Sequence, residues 1–124
     1  MRNKQVLDYI KFTEFFIACI ILGLEYLHYN NILHRDIKPE NLVMEQSGYL
    51  RITDFGISKD YIRENKVDTS GTPGYMAPEV IGGKNHTIAV DYFALGIITY
   101  ELMLGQVFYL SHIRDHLKGK IKKN

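Results

Sequence analysis

The sequence predicts an α+β fold, mainly helical with one short β-hairpin. Three observations carry that reading. Apolar side chains recur at three- and four-residue spacing over residues 12–29, and again over 88–104. Between them, residues 41–53 hold two short runs of strand character about a turn.

A chain of 124 residues fits one domain or part of one. Its 46% hydrophobic share is ordinary for a globular protein, and a net charge of +1 gives no pull toward nucleic acid or a membrane surface. The longest apolar run, Phe15 to Leu24, is bounded by Glu14 and Glu25 and is too short to insert across a bilayer. Cys19 is the single cysteine and reads as a small buried hydrophobe. No intramolecular disulfide is available, which suits a reducing compartment, the cytoplasm or the nucleus.

The first helix is expected from Phe12 to Tyr29, with Ile17, Ile20, Ile21, Leu24 and Leu27 on its apolar face. Thr13 is placed to cap its start, and Asn30-Asn31 suits its end because asparagine tolerates the left-handed conformation. Met1 to Lys11 reads as a polar lead-in or the remnant of an earlier helix, and both stay open. His28 reads as a packed or capping residue.

The hairpin follows. Asn41 to Met44 forms one strand, Glu45-Gln46-Ser47-Gly48 the turn, and Tyr49 to Thr53 the return. The expected register pairs Met44 with Arg51, Val43 with Ile52 and Leu42 with Thr53, which brings Asp54 beside Asn41. The later helix is expected from Ile88 to Leu104. Val90, Phe93, Ala94, Ile97, Ile98 and Leu102 make its apolar surface wide, as in a helix buried on most sides.

Chemistry concentrates in His34-Arg35-Asp36-Ile37-Lys38-Pro39-Glu40-Asn41. Pro39 keeps this stretch out of a regular helix. Asp36 can accept a proton from a hydroxyl, Lys38 can neutralise a passing anion, and Asn41 offers an amide oxygen suited to Mg²⁺. With Asp54 at the same end of the hairpin, the set reads as a Mg²⁺-phosphate site beside a base.

These residues resemble a known family. His34-Arg35-Asp36 with Lys38 and Asn41, then Asp54-Phe55-Gly56, then Ala77-Pro78-Glu79 match in order and spacing the catalytic loop, magnesium loop and activation-segment end of eukaryotic protein kinases. The likeness runs from about Phe12 to about Leu104. It implies a kinase-like C-terminal lobe, with 1–124 a partial kinase domain lacking the small lobe and the last helices. No glycine-rich phosphate loop or strand lysine stands before Glu25.

The resemblance implies transfer of the ATP γ-phosphoryl group to a protein Ser or Thr hydroxyl. Asp36 would orient the hydroxyl and accept its proton, and Lys38 would hold the transferring phosphate. Asn41 and Asp54 would bind Mg²⁺, and Lys38, Glu40, Asn41, Val43, Thr53 and Asp54 would form the nucleotide side of the site. His34 would brace the loop from the core, and Asp91 would bind backbone amides of that loop. Lys38 and Thr72 match the Ser/Thr pattern rather than the Tyr one.

Residues 57–79 would be the activation segment, with Lys59 to Lys66 a solvated loop. Arg35, Asp68, Thr69, Ser70, Gly71, Thr72, Pro73 and Tyr75 would govern activation and substrate docking. In the family this arginine pairs with a phosphate, and the usual acceptor position falls on Asp68 here. Asp68 would therefore replace the phosphate in part, as a carboxylate carries less charge. Thr69 and Ser70 are alternative acceptors for an upstream kinase.

The run Gly71 to Glu79 looks similar to calcium/calmodulin-dependent and related kinases. The family partner of Glu79 is not found in this chain. His112 and His116 stand four apart, but no third ligand supports a metal site, and the lysines from Lys118 onward read as a solvated end. The competing reading of the whole is a non-catalytic, kinase-like fragment acting as a binding or regulatory module.

Overall fold

A computed structural model describes residues 2–55, 59–60, 65 and 68–104. Gln106 onward, with His112, His116 and the terminal lysines, lies outside the described residues, as do Gly56 and most of 56–67.

Helix α1 runs Arg2–Tyr29, ten residues earlier than its apolar periodicity suggests. Residues 2–11 hold no glycine or proline and are good helix formers on the whole, so propensity carries the helix where burial does not. Their exposure is why they show no apolar stripe: residues 3–9 all face solvent. Thr13 is consequently not a cap. It is buried inside the helix, and its Oγ1 donates back to the Tyr9 carbonyl at 3.0 Å. The other end is as expected: the Asn30 amide bonds the Tyr26 and Leu27 carbonyls, and Asn31 turns left-handed at φ 57°.

Strand β1, Ile32–Leu33, leads into the polar loop. A 3₁₀ turn over Pro39–Asn41 ends that loop, opened by the proline. The hairpin is β2, Leu42–Met44, and β3, Leu50–Ile52. Its register differs by one residue from the expected one: Leu42 faces Ile52, Val43 faces Arg51 and Met44 faces Leu50. The cause is the turn. Glu45 N–H bonds the Tyr49 carbonyl at 2.8 Å and Gly48 N–H bonds Glu45 at 2.9 Å, so three residues form the loop. Gly48 takes φ 90° to close it, a conformation that glycine adopts without strain. Asn41 then faces Thr53, and Asp54 is the next residue along.

Strand β4, Lys59–Asp60, pairs antiparallel with β1, where the sequence suggested only loop. Two-residue strands are too short for periodicity to mark. A single helical turn α2, Pro78–Ile81, and helix α3, Ala89–Leu104, complete the described elements.

The core joins Ile20, Leu24 and Leu27 of α1 to Ala94, Leu95 and Ile98 of α3, with Ile37 and Tyr75 between them. A second cluster, Met76, Ala77, Val80 and Val90, sits under α2. Two expectations need correction. Ile21 and Phe93 are exposed, and α3 also shows Tyr92, Tyr100 and Met103 to solvent, so one face of it is packed rather than most sides. Cys19 is half-buried and lines an apolar groove of about 660 Å³ between α1 and β3, along with Phe15, Leu22, Tyr26 and Phe55.

Candidate active site

The loop after β1 is held from beneath by one buried carboxylate. Asp91, in the first turn of α3 and 1% exposed, accepts the His34 N–H at 3.0 Å on Oδ2 and the Arg35 N–H at 2.8 Å on Oδ1. Oδ2 also accepts His28 Nε2 at 2.8 Å. The charge is thus fully engaged, as burial requires. This grip holds Arg35 at φ 70°, a conformation that costs a non-glycine residue about 1–3 kcal/mol.

His34 is completely buried and braces the loop from the other side. Its Nδ1 accepts the Asp36 N–H at 3.1 Å, so Nε2 carries the proton and donates to the Thr53 carbonyl at 2.9 Å. Phe55 packs edge-on against the ring, with centroids 5.3 Å apart. One imidazole therefore ties the loop to the segment that carries Asp54.

Four side chains meet above this support. Thr72 Oγ1 donates to Asp36 Oδ1 at 2.5 Å, and Lys38 Nζ donates to Thr72 Oγ1 at 2.9 Å. Lys38 Nζ also lies 3.5 Å from Asp36 Oδ2. Asn41 Nδ2 donates to the Asp36 carbonyl at 2.8 Å and to its Oδ2 at 3.2 Å. That assigns the Asn41 amide: nitrogen toward Asp36, oxygen away. The Asn41 main-chain carbonyl accepts both the N–H and the hydroxyl of Thr53, at 2.8 and 3.1 Å. Asp54 follows immediately, exposed and at φ 59°.

The donor set suits Mg²⁺, which keeps several waters and needs only one or two protein carboxylates beside substrate phosphates. No cluster of three or more His, Cys, Asp or Glu stands among the described residues, and a site of this kind needs none.

Residues 68–72 are docked on the same loop. Arg35 Nη1 lies 2.5 Å from Asp68 Oδ2, both largely shielded from solvent. Asp68 Oδ1 accepts the Ser70 N–H at 3.2 Å. Thr69 and Ser70 are exposed. Gly71 sits at φ 141°, and a Cβ there would come within 3.0 Å of the Arg35 carbonyl, so only glycine allows the segment this close.

The structure thus gathers Arg35, Asp36, Lys38, Asn41, Thr53, Asp68 and Thr72. Glu40 and Val43 stand exposed on the 3₁₀ turn and β2. Tyr75 is not displayed for a substrate. It is buried, and its hydroxyl donates to Glu101 at 2.9 Å. Glu79 is half-buried. Glu101, Asn65, Asn85 and the His28–Asp91 bond were not foreseen. A lone amide in a charged run and a glutamate on a helix carry no sequence signal.

Asp36 and Lys38 meet on the Thr72 hydroxyl, Asn41 bonds Asp36, and Asp54 follows the adjoining hairpin, a polar set of the kind that phosphoryl transfer uses. The protein kinase domain family matches residues 2–124, and the chain belongs to that family. It is 52% identical over 95 residues to the cGMP-dependent protein kinase egl-4 of Caenorhabditis briggsae, covering 76% of this chain and 13% of that protein. It is 48% identical over 94 residues to the cGMP-dependent protein kinase isozyme 1 of Drosophila melanogaster, covering 75% and 12%. It is 47% identical over 93 residues to the cAMP-dependent protein kinase catalytic subunit of Dictyostelium discoideum, covering 75% and 14%. The chain spans about an eighth of the length of these relatives. Cyclic-nucleotide-dependent kinases stand among them, which the run Gly71 to Glu79 did not suggest. No described helix is long and apolar enough to cross a membrane.

Proposed function

We propose that this chain is the catalytic part of the large lobe of a serine/threonine protein kinase, which transfers the ATP γ-phosphoryl group to protein hydroxyls. The observation that carries the reading is the contact of Thr72 with both Asp36 and Lys38. Lysine two residues after the catalytic acid, bridged by this threonine, is the arrangement of the Ser/Thr class.

Asp36 orients the substrate hydroxyl and accepts its proton. Its carboxylate is held in place by Asn41 on one side and Thr72 on the other, so little reorganisation accompanies the transfer. Lys38 reaches the same point and stabilises the charge on the transferring phosphoryl group. The Asn41 amide oxygen and the Asp54 carboxylate would hold Mg²⁺. When bound, the ion would supply positive charge that offsets the charge of the ATP phosphates.

Asp68 stands where a phosphate would otherwise meet Arg35, which supports a segment docked without phosphorylation. Thr69 and Ser70 are exposed and open to an upstream kinase.

The activity belongs to the domain completed by a small lobe, since these residues include no phosphate-binding loop. The apolar grooves along α1 and the hairpin support a further lobe seated there. The test is phosphorylation of a Ser/Thr peptide by the completed domain, against the isolated chain. Transfer by the first and none by the second supports the reading. Failure of both favours a non-catalytic module.

A further inference from the structure

The activation segment touches the rest of the protein at a second place, far from Arg35 in sequence. Asn65 Oδ1 accepts the His86 N–H at 2.8 Å, and Asn65 Nδ2 donates to the His86 carbonyl at 2.8 Å. The side-chain amide copies the edge of a β-strand. The Asn65 N–H donates to Asn85 Oδ1 at 2.9 Å, and its carbonyl accepts the Asp68 N–H at 3.0 Å. Each polar group of this residue is therefore used. His86, which receives the pair, is 3% exposed.

We propose that Asn65 is a positioning residue that latches the activation segment to the loop between α2 and α3. Asn65 and Asp68 then form the two ends of one bracket, joined by their own backbone bond. One end grips residues 85–86, and the other grips Arg35 of the catalytic loop. The space enclosed by Arg35, Ser70, Thr72, His86 and Val90 is about 20 Å³, room for roughly one water, so the segment lies directly on the lobe. The bracket fixes the stretch leading to Thr72, where a substrate peptide must settle, without any phosphate.

Asparagine suits the task because it offers a donor and an acceptor side by side. Alanine offers neither, and aspartate would set a negative oxygen against the His86 carbonyl. The proposal rests on the kinase reading given above, and its test separates the two.

The test measures amide hydrogen exchange in the 124-residue chain and peptide kinetics in the completed kinase domain, for Asn65→Ala, Asn65→Asp and Asn85→Ala. Loss of two hydrogen bonds should speed exchange at the His86 amide about tenfold in N65A. The core amides of Leu95 and Ile98 should not change, and N85A should show a smaller effect. The peptide KM should rise about three- to tenfold in N65A and N65D with kcat within about twofold, because Asp68 and Thr72 keep their own contacts. An unchanged His86 amide, an unchanged KM, or equal acceleration at Leu95 and Ile98 overturns the latch. If the unaltered completed domain transfers no phosphate, the kinase reading falls, and the exchange result still decides the bracket.

Discussion

Thr72 Oγ1 lies 2.5 Å from Asp36 Oδ1 although the two residues are 36 positions apart, and the same hydroxyl accepts Lys38 Nζ at 2.9 Å. The segment that carries Thr72 and the loop that carries Asp36 and Lys38 therefore share one hydroxyl. Docking of that segment and the placing of the Asp36 carboxylate are a single structural event.

Removing that hydroxyl should show it. In the completed domain, Thr72→Ala should lower kcat by about 10²-fold or more, within the range of lost positioning and charge stabilisation. Thr72→Ser keeps the oxygen and should recover most of the rate. Equal losses in both variants would mean that the methyl, and not the bridge, is what matters.

The Arg35–Asp68 pair is shielded, so salt should screen it little. Asp68→Ala should cut the activity of unphosphorylated protein about tenfold, as a charged contact of about 1.5 kcal/mol or more is lost. Steady-state assays on protein checked by mass spectrometry for absence of phosphate measure this. Unchanged activity would exclude phosphate mimicry.

Asp91 holds two loop amides and His28 on one buried carboxylate. Asp91→Ala should destabilise the fold by at least about 1–3 kcal/mol, the cost of a buried donor left without its acceptor. Asp91→Asn should cost less, since it still offers an acceptor. Denaturant unfolding of the variants gives both values.

Gly71 is placed by its backbone and by the nearby Arg35 carbonyl. Gly71→Ala should cost about 1–3 kcal/mol and loosen the docked segment. The sign is clear from proteolysis: cleavage around residues 68–72 should quicken while α3 stays protected.

Phe15, Leu22, Tyr26 and Tyr49 are exposed apolar groups around grooves of about 620 and 660 Å³. The isolated chain should self-associate and bind hydrophobic dyes, as large uncovered patches do. Light scattering with and without a small lobe supplied in trans tests it; suppression of the scattering is the expected result.

Much of this was legible in the sequence. Asp36, Lys38 and Asn41, which meet in the structure, lie in one short motif, and α3 follows its apolar spacing. Asn31 ends α1 for the reason its side chain suggests. Illegible features depended on contacts. The register slip came from Gly48 closing a three-residue loop, which composition does not distinguish from four. Strand β4 exists because β1 lies opposite it. The early start of α1 rests on propensity in residues with no buried face. Asn65 is informative only once His86 is seen beside it.

The central claim is that Asp36 is the base of a phosphotransferase site. The most direct measurement is labelled γ-phosphate transfer from ATP to a Ser/Thr peptide by the completed domain and its Asp36→Asn variant. Asparagine preserves shape and removes the proton acceptor, so the account predicts a fall of at least about 10²-fold in kcat with the fold intact. Transfer at the unaltered rate by the variant would contradict it.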